Sequence, residues 1–329
     1  MKILVTGGTG FVGAWTAKAA ADAGHHVRFL VRDPARLATS AARIGVDTAD
    51  YVVGDIGDAR STAAALEGCD AVIHSAAMVS TDPRQADAML RTNLDGGRHV
   101  LGEAAKRGLD PIVHVSSFTA LFRPGLDVLR ADLPVAGGSD GYGRSKAALE
   151  AYARGLQDAG APVVITYPGM VLGPPAGNQF GEAAEGVEAA VHMHGLPGRR
   201  AAWLVIDVRD LAAIHAAVLA PGRGPRRYMA GGQRIPVAGL AKMIGTATGR
   251  SLHVFPLPRR LLRAVGQGFD IVGKYVPFET SISAMAMQYY TQMPRSDDSA
   301  AEKELGITYR DPQETLSDTA AGLRDVGRL

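Results

Sequence analysis

Short apolar runs alternate with helix-forming stretches through the first half of the chain, and no other feature restricts the possible fold as strongly. The apolar runs occupy residues 3–6, 26–31, 51–53, 71–74, 112–115 and 163–167. The run at 112–115 lacks strict apolar/polar alternation, which is typical of strands buried on both faces. Right-handed crossovers between parallel strands are expected from the helical stretches 11–23, 58–67, 84–107 and 142–159. The sequence therefore predicts an α/β fold with a doubly wound parallel sheet.

The regular alternation ends after residue 167, where a glycine- and proline-rich segment begins. Later stretches suggest a strand at 203–208 and helices at 210–219, 236–248, 257–272 and 280–293. We therefore predict a sheet domain over 1–167, with 203–230 returning to it. A smaller, mostly helical lobe (168–202 and 231–329) is expected over the carboxyl edge of the sheet, where open α/β folds bind ligands.

Composition narrows the functional classes. No stretch approaches the ~18 uninterrupted apolar residues that span a bilayer, so no membrane span is expected. The net charge is +2 and the arginine doublets are scattered, which disfavours nucleic-acid binding. Cys69 is the only cysteine, so we expect no disulfide, no thiolate metal site and a cytoplasmic location. The spacing of His192 and His194 would suit a metal, but no further ligand set accompanies them, so none is expected.

A glycine-rich turn follows the first strand directly. Three glycines spaced by three, Gly7, Gly10 and Gly13, stand between that strand and the first helix. Such a turn lets the backbone approach a diphosphate, which the helix N-terminus attracts with its free N–H groups. We predict that a dinucleotide binds here, in contact with Gly7, Thr9, Gly10, Phe11, Val12 and Gly13.

The end of the second strand bears on which dinucleotide binds. Asp33 lies near the distance at which a carboxylate holds the free ribose hydroxyls of NAD. However, Arg32 precedes it and Arg36 follows one helical turn later, so two guanidiniums are placed to bind a 2′-phosphate. We predict a preference for NADP(H), with NAD(H) as the alternative.

Residues at the ends of the third and fourth strands are expected beside the adenosine. Asp55 can accept a hydrogen bond from the adenine amino group, although it can equally cap the helix that begins near Asp58. Small side chains at Ala76 and Ala77 would let the cofactor lie close to the sheet. Ile56 belongs to the same predicted contact.

Tyr142 and Lys146 stand four residues apart at the head of a predicted helix. That spacing places them on one face, about 6 Å apart along the axis. An ammonium at that position favours the phenolate and so lowers the pKa of tyrosine from about 10. A serine at the end of the fifth strand, Ser116 or Ser117, would hold the substrate oxygen. The pattern is that of an acid/base catalyst acting on a carbonyl or alcohol.

These motifs resemble those of the extended short-chain dehydrogenases/reductases, particularly the dihydroflavonol reductase and 3β-hydroxysteroid dehydrogenase branch. The resemblance covers nearly the whole chain and rests on the segments at 6–13, 31–34, 54–56, 115–117, 142–146, 167–174 and 207–210.

The resemblance implies roles for particular residues. Tyr142 would be the acid/base, and Lys146 would also bind the nicotinamide ribose. Ser117 would polarise the carbonyl, with Ser116 as the second choice and as a neighbour of the cofactor. Arg32 would bind the 2′-phosphate, and Asn93 matches an asparagine found beside this site in the family. The residues implied to touch the nicotinamide are Tyr167, Pro168 and Met170.

Two departures from the family pattern bear on the substrate. Pro168-Gly169 stands where sugar-nucleotide epimerases tend to have asparagine, which disfavours that activity. Phe118 follows the serines where a small residue is common, which favours a lipophilic carbonyl or alcohol substrate.

Three other functions are compatible with parts of the sequence. A sugar-nucleotide epimerase or dehydratase would share the cofactor residues and the Tyr142 motif. A noncatalytic NADP-sensing regulator would not need the tyrosine and lysine. A hydrolase is suggested by Ser139 in a G-x-S-x-G pattern, but no buried strand precedes it, so we expect Ser139 to cap the Tyr142 helix.

Apolar stripes along helices 84–107 and 142–159 would pack on the sheet. Because the family often pairs these two helices across a twofold axis, a homodimer is also expected.

Overall fold

A seven-stranded parallel sheet forms the centre of the protein in the computed structural model, which describes residues 1–79, 83–138, 140–272 and 283–329. Its strands are β1 (Lys2–Thr6), β2 (His26–Val31), β3 (Tyr51–Val53), β4 (Ala71–His74), β5 (Ile112–Val115), β7 (Val163–Pro168) and β11 (Arg226–Ala230). They lie in the order β11-β7-β5-β4-β1-β2-β3. The strand order reverses beside β1, so the ends of β1 and β4 border the crevice in which such folds bind ligands. The doubly wound parallel sheet predicted from the sequence is confirmed.

Helices cover both faces of this sheet. One apolar core lies under α3 (Ala59–Leu66), α4 (Ala86–Lys106) and α5 (Gly141–Asp158). The other lies under α1 (Phe11–Asp22), α2 (Pro34–Ala42) and α7 (Val208–Ala217). Because both faces are buried, β4 and β5 consist of fully buried residues, as the uninterrupted apolar runs predict.

Beyond β7 the chain leaves the large sheet. A small sheet contains β8 (Met170–Leu172), β10 (Ala202–Asp207) and β12 (Gln233–Pro236), in the order β12-β10-β8. A Cβ on Gly169 would lie 2.4 Å from the carbonyl oxygen of Gly231 and 2.7 Å from that of Leu204. Only glycine therefore fits where the chain passes from one sheet to the other.

The remaining elements surround the small sheet and the rim of the large one. The strands are β6 (Val128–Leu129), β9 (Gly195–Pro197), β13 (His253–Phe255) and β14 (Arg295–Ser296). The helices are α6 (Ala183–His192), α8 (Val237–Thr248), α9 (Arg259–Val272), α10 (Ala284–Thr291), α11 (Ser299–Leu305) and α12 (Pro312–Asp325). Within the described ranges, no helix is both long and apolar enough to cross a membrane.

Some elements differ from the sequence-based expectation. The strand expected at 203–208 forms as β10, but it pairs with β8 and β12 in the small sheet rather than joining the large one. The large sheet is completed instead by β11, which no apolar run announced because its pattern begins with two arginines. Residues 280–282 of the helix expected at 280–293 lie outside the described residues.

Candidate active site

The glycine turn forms as expected between β1 and α1. Gly7 adopts a φ of +78°, and its carbonyl accepts a hydrogen bond from the Gly10 N–H at 2.9 Å. Gly10 caps α1 without any side-chain hydrogen bond, and no acidic residue lies in the first turn. The N–H groups at the start of α1 therefore face no competing anion from their own helix, which suits a bound phosphate.

The turn is packed so tightly that side chains are sterically barred. A Cβ on Gly7 would lie 2.8 Å from the Ala76 nitrogen, and one on Gly13 would lie 2.2 Å from the Gly7 oxygen. The Ser75 hydroxyl donates a hydrogen bond to the Thr6 carbonyl at 2.7 Å, which ties the ends of β1 and β4 together. This cradle suits the diphosphate of a dinucleotide, and Thr9, Phe11, Val12 and Ala77 adjoin its glycines and Ala76 in the chain.

The carboxylate at the end of β2 is already engaged. Asp33 caps α2, where its Oδ1 accepts hydrogen bonds from the N–H groups of Ala35 at 2.9 Å and Arg36 at 3.4 Å. Arg32 is 76% exposed, with one guanidinium nitrogen 3.7 Å from Asp55 Oδ2. Arg36 lines an open cavity of about 240 Å³. The guanidiniums are thus available to a ligand, whereas the Asp33 carboxylate is held by backbone N–H groups.

Asp55 does not cap α3. Asp58 does so, through the N–H groups of Arg60 and Ser61, whereas Asp55 Oδ1 accepts a hydrogen bond from the Gly57 N–H at 2.8 Å. The Ile56 side chain packs so closely on α4 that a Cβ on Gly96 would lie 2.6 Å from its Cδ1. Asp55 therefore keeps a carboxylate oxygen at the crevice beside Arg32, while Ile56 points toward the helix layer.

Tyr142, Lys146 and Ser117 come together at the carboxyl ends of β5 and β7. Lys146 Nζ lies 5.8 Å from the centre of the Tyr142 ring and donates a hydrogen bond to the Val115 carbonyl at 3.3 Å. The buried Ser117 hydroxyl accepts a hydrogen bond from the Thr119 hydroxyl at 3.0 Å and favours the Tyr142 phenolate. Ser116 is also buried, but its hydroxyl has no hydrogen-bond partner among the described residues. The structure thus pairs Ser117, rather than Ser116, with the tyrosine.

The pKa of Tyr142 is shifted opposite to the sequence-based expectation. Burial and the carboxylates of Glu182 and Asp140 raise it well above 10, while the interaction with Ser117 lowers it in part. Burial also lowers the pKa of Lys146 to about 8, despite the carboxylates of Glu182 and Glu150, which raise it. Desolvation therefore decides the direction of the shift in the pKa of Tyr142, and the phenol stays protonated at neutral pH, as a tyrosine of ordinary pKa also does.

Glu182 is a site residue that the sequence analysis missed. It directly precedes α6 and makes no capping hydrogen bond. The residue as a whole is exposed to solvent, although its carboxylate lies close enough to Tyr142 and Lys146 to raise the pKa of both. Burial and the neighbouring Glu185 raise the pKa of Glu182 to about 7, while Lys146 lowers it. No local motif marks this residue, because only the fold of the lobe brings it to Tyr142.

Asn93 fixes the loop after β4 to the catalytic helix. Its side chain exchanges two hydrogen bonds with the Met78 backbone and donates a third to the Ser145 hydroxyl at 3.2 Å. Asn93 is buried, so these bonds are shielded from water. It therefore acts as a positioning residue between α4 and α5.

Tyr289, in α10, holds the start of α5 in place through Asp140. Asp140 caps this helix by accepting a hydrogen bond from the Gly143 N–H at 2.8 Å, and it also accepts one from the Tyr289 hydroxyl at 3.0 Å. The Tyr289 ring packs edge-on against Phe118 and Phe122. The sequence-based cap, Ser139, lies outside the described residues. Phe118 thus helps to anchor α10 beside the catalytic helix.

The Tyr167 side chain is hydrogen-bonded to residues of α5. Its hydroxyl donates a hydrogen bond to Glu150 at 2.5 Å and accepts one from Arg154 at 2.9 Å. The side chain is fully buried, so only its backbone remains for a nicotinamide contact. Pro168 ends β7 and Met170 begins β8, so both stand beside the strand ends as expected.

Among the described residues, no group of three or more His, Cys, Asp or Glu side chains is arranged to hold a metal ion. The His194 ring nitrogen Nδ1 lies 3.2 Å from the His192 carbonyl oxygen.

Comparison with known proteins places the chain among dinucleotide-dependent enzymes. Residues 3–231 match the family described as "NAD dependent epimerase/dehydratase family". The chain is 27% identical over 342 residues to "Sterol demethylase protein B" of Methylococcus capsulatus, with all of both chains covered. It is 29% identical over 351 residues to a Synechocystis protein named provisionally as a dihydroflavonol 4-reductase, covering 98% of this chain and 94% of the other.

A solved structure shares the whole fold. The UDP-glucose 4-epimerase of Stenotrophomonas maltophila, with bound NAD and formylated UDP-arabinopyranose, superposes with a TM-score of 0.79 over 100% of this chain and 99% of that one. At 22% identity this likeness establishes the fold. The family resemblance derived from the motifs is confirmed.

Proposed function

This chain belongs to the NAD-dependent epimerase/dehydratase family, and from that premise we propose that it reduces a carbonyl group with NADPH, using Tyr142 as the acid. It is an NAD(P)-dependent enzyme of the extended short-chain dehydrogenase/reductase type that acts on a small molecule. Beyond this class of enzyme, we propose the direction of the reaction, the preferred dinucleotide and the class of substrate.

The protonated state of Tyr142 carries the proposal. A carbonyl that accepts a hydride must also accept a proton on its oxygen, and the donor must hold that proton at working pH. A tyrosine of ordinary pKa, about 10, is already protonated at neutral pH, and burial and Glu182 raise the pKa of Tyr142 further, so the phenol keeps its proton over the whole working range of pH. The same shift would hinder the reverse reaction, in which tyrosine must act as a base.

Each neighbour has a separable task. The nicotinamide, when bound, supplies the hydride to the carbonyl carbon. The Ser117 hydroxyl would donate a hydrogen bond to the substrate oxygen and favours the phenolate that Tyr142 becomes on giving up its proton. Lys146 carries a positive charge below pH about 8 and would bind the nicotinamide ribose from its place behind the ring.

NADPH is proposed over NADH because of the arrangement after β2. One oxygen of the Asp33 carboxylate, Oδ1, accepts hydrogen bonds from two N–H groups of α2, so the carboxylate is already partly engaged in capping that helix. Arg32 and Arg36 are exposed on either side of it, and two guanidiniums can hold a phosphate by charge-assisted hydrogen bonds. NADH remains the possible second cofactor.

A lipophilic substrate is proposed from the surroundings of the serine. Phe118 directly follows Ser117 in the chain, and both Phe118 and Phe122 pack against Tyr289, so an aromatic wall lies next to the serine. The names of the two relatives above refer to a sterol and a dihydroflavonol. A weakly polar ring ketone or aldehyde fits such a wall better than a sugar nucleotide does.

A cofactor and substrate screen tests this function. We expect purified protein to oxidise NADPH in the presence of ring ketones, aldehydes or sterol ketones, with a higher kcat/KM for NADPH than for NADH. Turnover of a UDP- or TDP-sugar by protein that retains bound NAD would instead show an epimerase or dehydratase. Dinucleotide binding without turnover of any carbonyl, unchanged by replacing Tyr142, would indicate a regulator.

A homodimer is proposed through α4 and α5, because the family often pairs these two helices across a twofold axis. Light scattering at micromolar protein should give twice the 34.4 kDa chain mass. A mass of one chain would contradict it.

A further inference from the structure

Exposed apolar side chains are concentrated on and beside α9. Ten large apolar side chains are exposed in the described residues, and seven of them lie in this region. Four are on the helix itself and are between 42% and 58% exposed: Leu261, Val265, Ile271 and Val272. Phe255 and Leu257 lie shortly before the helix. Met193 lies two residues before β9, the strand that pairs with β13. Such a concentration is characteristic of an interaction surface rather than of scattered exposure.

The helical spacing separates these residues from the face that packs on the protein. Leu261, Val265 and Val272 follow one another at intervals of four and seven residues, so they share one stripe. The buried face is formed by Leu262 and Gly266. Leu262 packs against Gly198, and a Cβ on Gly266 would lie 2.5 Å from the Ser283 carbonyl oxygen. The apolar stripe therefore points away from the rest of the protein.

The remaining sector of α9 is basic. It carries Arg259, Arg260 and Arg263, all exposed, and on the helical projection Arg260 lies beside the exposed Ile271. The carboxylate of Asp270 is turned toward α10, where it accepts a hydrogen bond from the Ala284 N–H at 3.0 Å. Arg199 and Arg200, also exposed, follow the glycine on which Leu262 packs. Five exposed guanidiniums thus lie on α9 or beside it, whereas the acidic side chain of the helix is bonded to α10.

We propose that α9 is a docking surface for an anionic phospholipid bilayer, with its apolar stripe inserted at the headgroup boundary and its arginines among the lipid phosphates. An exposed apolar stripe beside a basic sector is the pattern by which helices lie in a membrane interface. The net positive charge of α9 and of the neighbouring Arg199 and Arg200 complements the negative surface of such a membrane. A protein partner or a second copy would need no such excess of one charge. This inference does not depend on the proposed reaction.

Co-sedimentation with vesicles tests the proposal. Wild-type protein should pellet with vesicles of phosphatidylcholine and phosphatidylglycerol, and raising the salt to about 0.5 M should weaken that binding. Leu261→Asp should reduce the affinity by about tenfold or more, because it places a charge in the apolar stripe. Arg260→Glu should reduce it by about fivefold or more, because it reverses a charge beside the phosphates.

Two matched controls carry the same chemical changes elsewhere. Tyr51→Asp alters another exposed large apolar residue, and Lys106→Glu alters an exposed cation at the end of α4. Both controls should bind vesicles as the wild type does, and all variants should keep the thermal stability and NADPH affinity of the wild type. The proposal is overturned if wild-type protein stays in the supernatant, or if Leu261→Asp still binds. It is equally overturned if Leu261→Asp halves the mass measured by light scattering, which would make the stripe a contact between copies.

Discussion

The glycine cradle and the substrate lobe contribute to the same cleft in different ways. In the cradle, the essential contacts join residues of one turn, as when the Gly10 N–H binds the Gly7 carbonyl. In the lobe, the contact that braces the catalytic helix joins Tyr289 to Asp140, 149 positions apart. The cradle is therefore a local device that recurs with its motif, whereas the lobe adjusts the chemistry of Tyr142 through tertiary packing alone.

Because of this difference between cradle and lobe, we expect changes in the catalytic helix and cradle to affect every substrate alike. Changes in the lobe should instead shift the pH dependence of kcat/KM. The largest effect is expected for Tyr142→Phe. Removing the phenol hydroxyl should lower kcat/KM by about a thousandfold, within the usual range for a lost general acid, while the Kd for NADPH stays unchanged. Steady-state kinetics and dinucleotide titration measure the two quantities.

Tyr152→Phe is the matched control for that variant. Tyr152 lies on the same helix and is only partly buried, so its loss of a hydroxyl should leave kcat/KM within a fewfold of the wild type. A comparable loss of activity in both variants would mean that the helix is perturbed, and would remove the special role of Tyr142.

Gly13→Ala should damage the cradle itself. The new methyl group would lie 2.2 Å from the Gly7 oxygen, so the turn must open. We expect the affinity for NADPH to fall roughly thirtyfold, equivalent to about 2 kcal/mol. Gly155→Ala is the control, because a Cβ there meets no atom within 4 Å and alanine favours a helix. Normal NADPH binding by Gly13→Ala would place the dinucleotide elsewhere.

Arg32→Ala should change the choice of cofactor rather than the chemistry. Loss of a charge-assisted bond to the 2′-phosphate should reduce the ratio of kcat/KM for NADPH over NADH by about tenfold. Arg43→Ala, just past the opposite end of α2 and paired there with Asp325, should leave that ratio unaltered. An unchanged ratio in Arg32→Ala would contradict the proposed phosphate contact.

Glu182→Gln probes the lobe and has the smallest expected effect. The Glu182 carboxylate raises the pKa of both Tyr142 and Lys146, so its removal lowers both. The pKa of Lys146, about 8 in the wild type, lies in the accessible range of pH, whereas that of Tyr142 lies far above it. Because the Lys146 ammonium is expected to bind the nicotinamide ribose, kcat/KM should begin to fall at a lower pH, by up to about one pH unit. The pH profile of kcat/KM measures this shift.

The control for this change is Glu188→Gln in the same helix. The Glu188 carboxylate pairs with Arg328, away from Tyr142, so the profile should not move. A shift toward higher pH in Glu182→Gln would reverse the electrostatic role assigned to the lobe.

Prediction from sequence succeeded where signals are local. The strands at 26–31, 51–53, 71–74 and 112–115 match the structure, because apolar runs bounded by turns specify buried parallel strands directly. The glycine turn and the one-turn spacing of Tyr142 and Lys146 likewise follow from short-range geometry. The preference for Ser117 over Ser116 came from the family resemblance, because the strand end alone left both serines open.

Prediction from sequence failed for features that depend on burial or on contacts between segments far apart in the chain. The pKa of Tyr142 was expected to fall because Lys146 is visible in the sequence, whereas the desolvation that raises it is not. Glu182 and Tyr289 have no motif, since an ordinary glutamate or tyrosine becomes part of the site only through the path of the lobe. The strand β11 begins with arginines, so its apolar signal is too short to recognise.

A crystal structure with bound NADP⁺ would show whether Tyr142 lies beside the nicotinamide. The distance to be measured joins the Tyr142 hydroxyl oxygen to the hydride-carrying carbon of the nicotinamide. We predict that both face one cleft, with space for a carbonyl group between them and the Ser117 hydroxyl directed at that space. A nicotinamide ring lying away from Tyr142, with protein atoms filling the path between them, would show that Tyr142 is not the acid of the reaction.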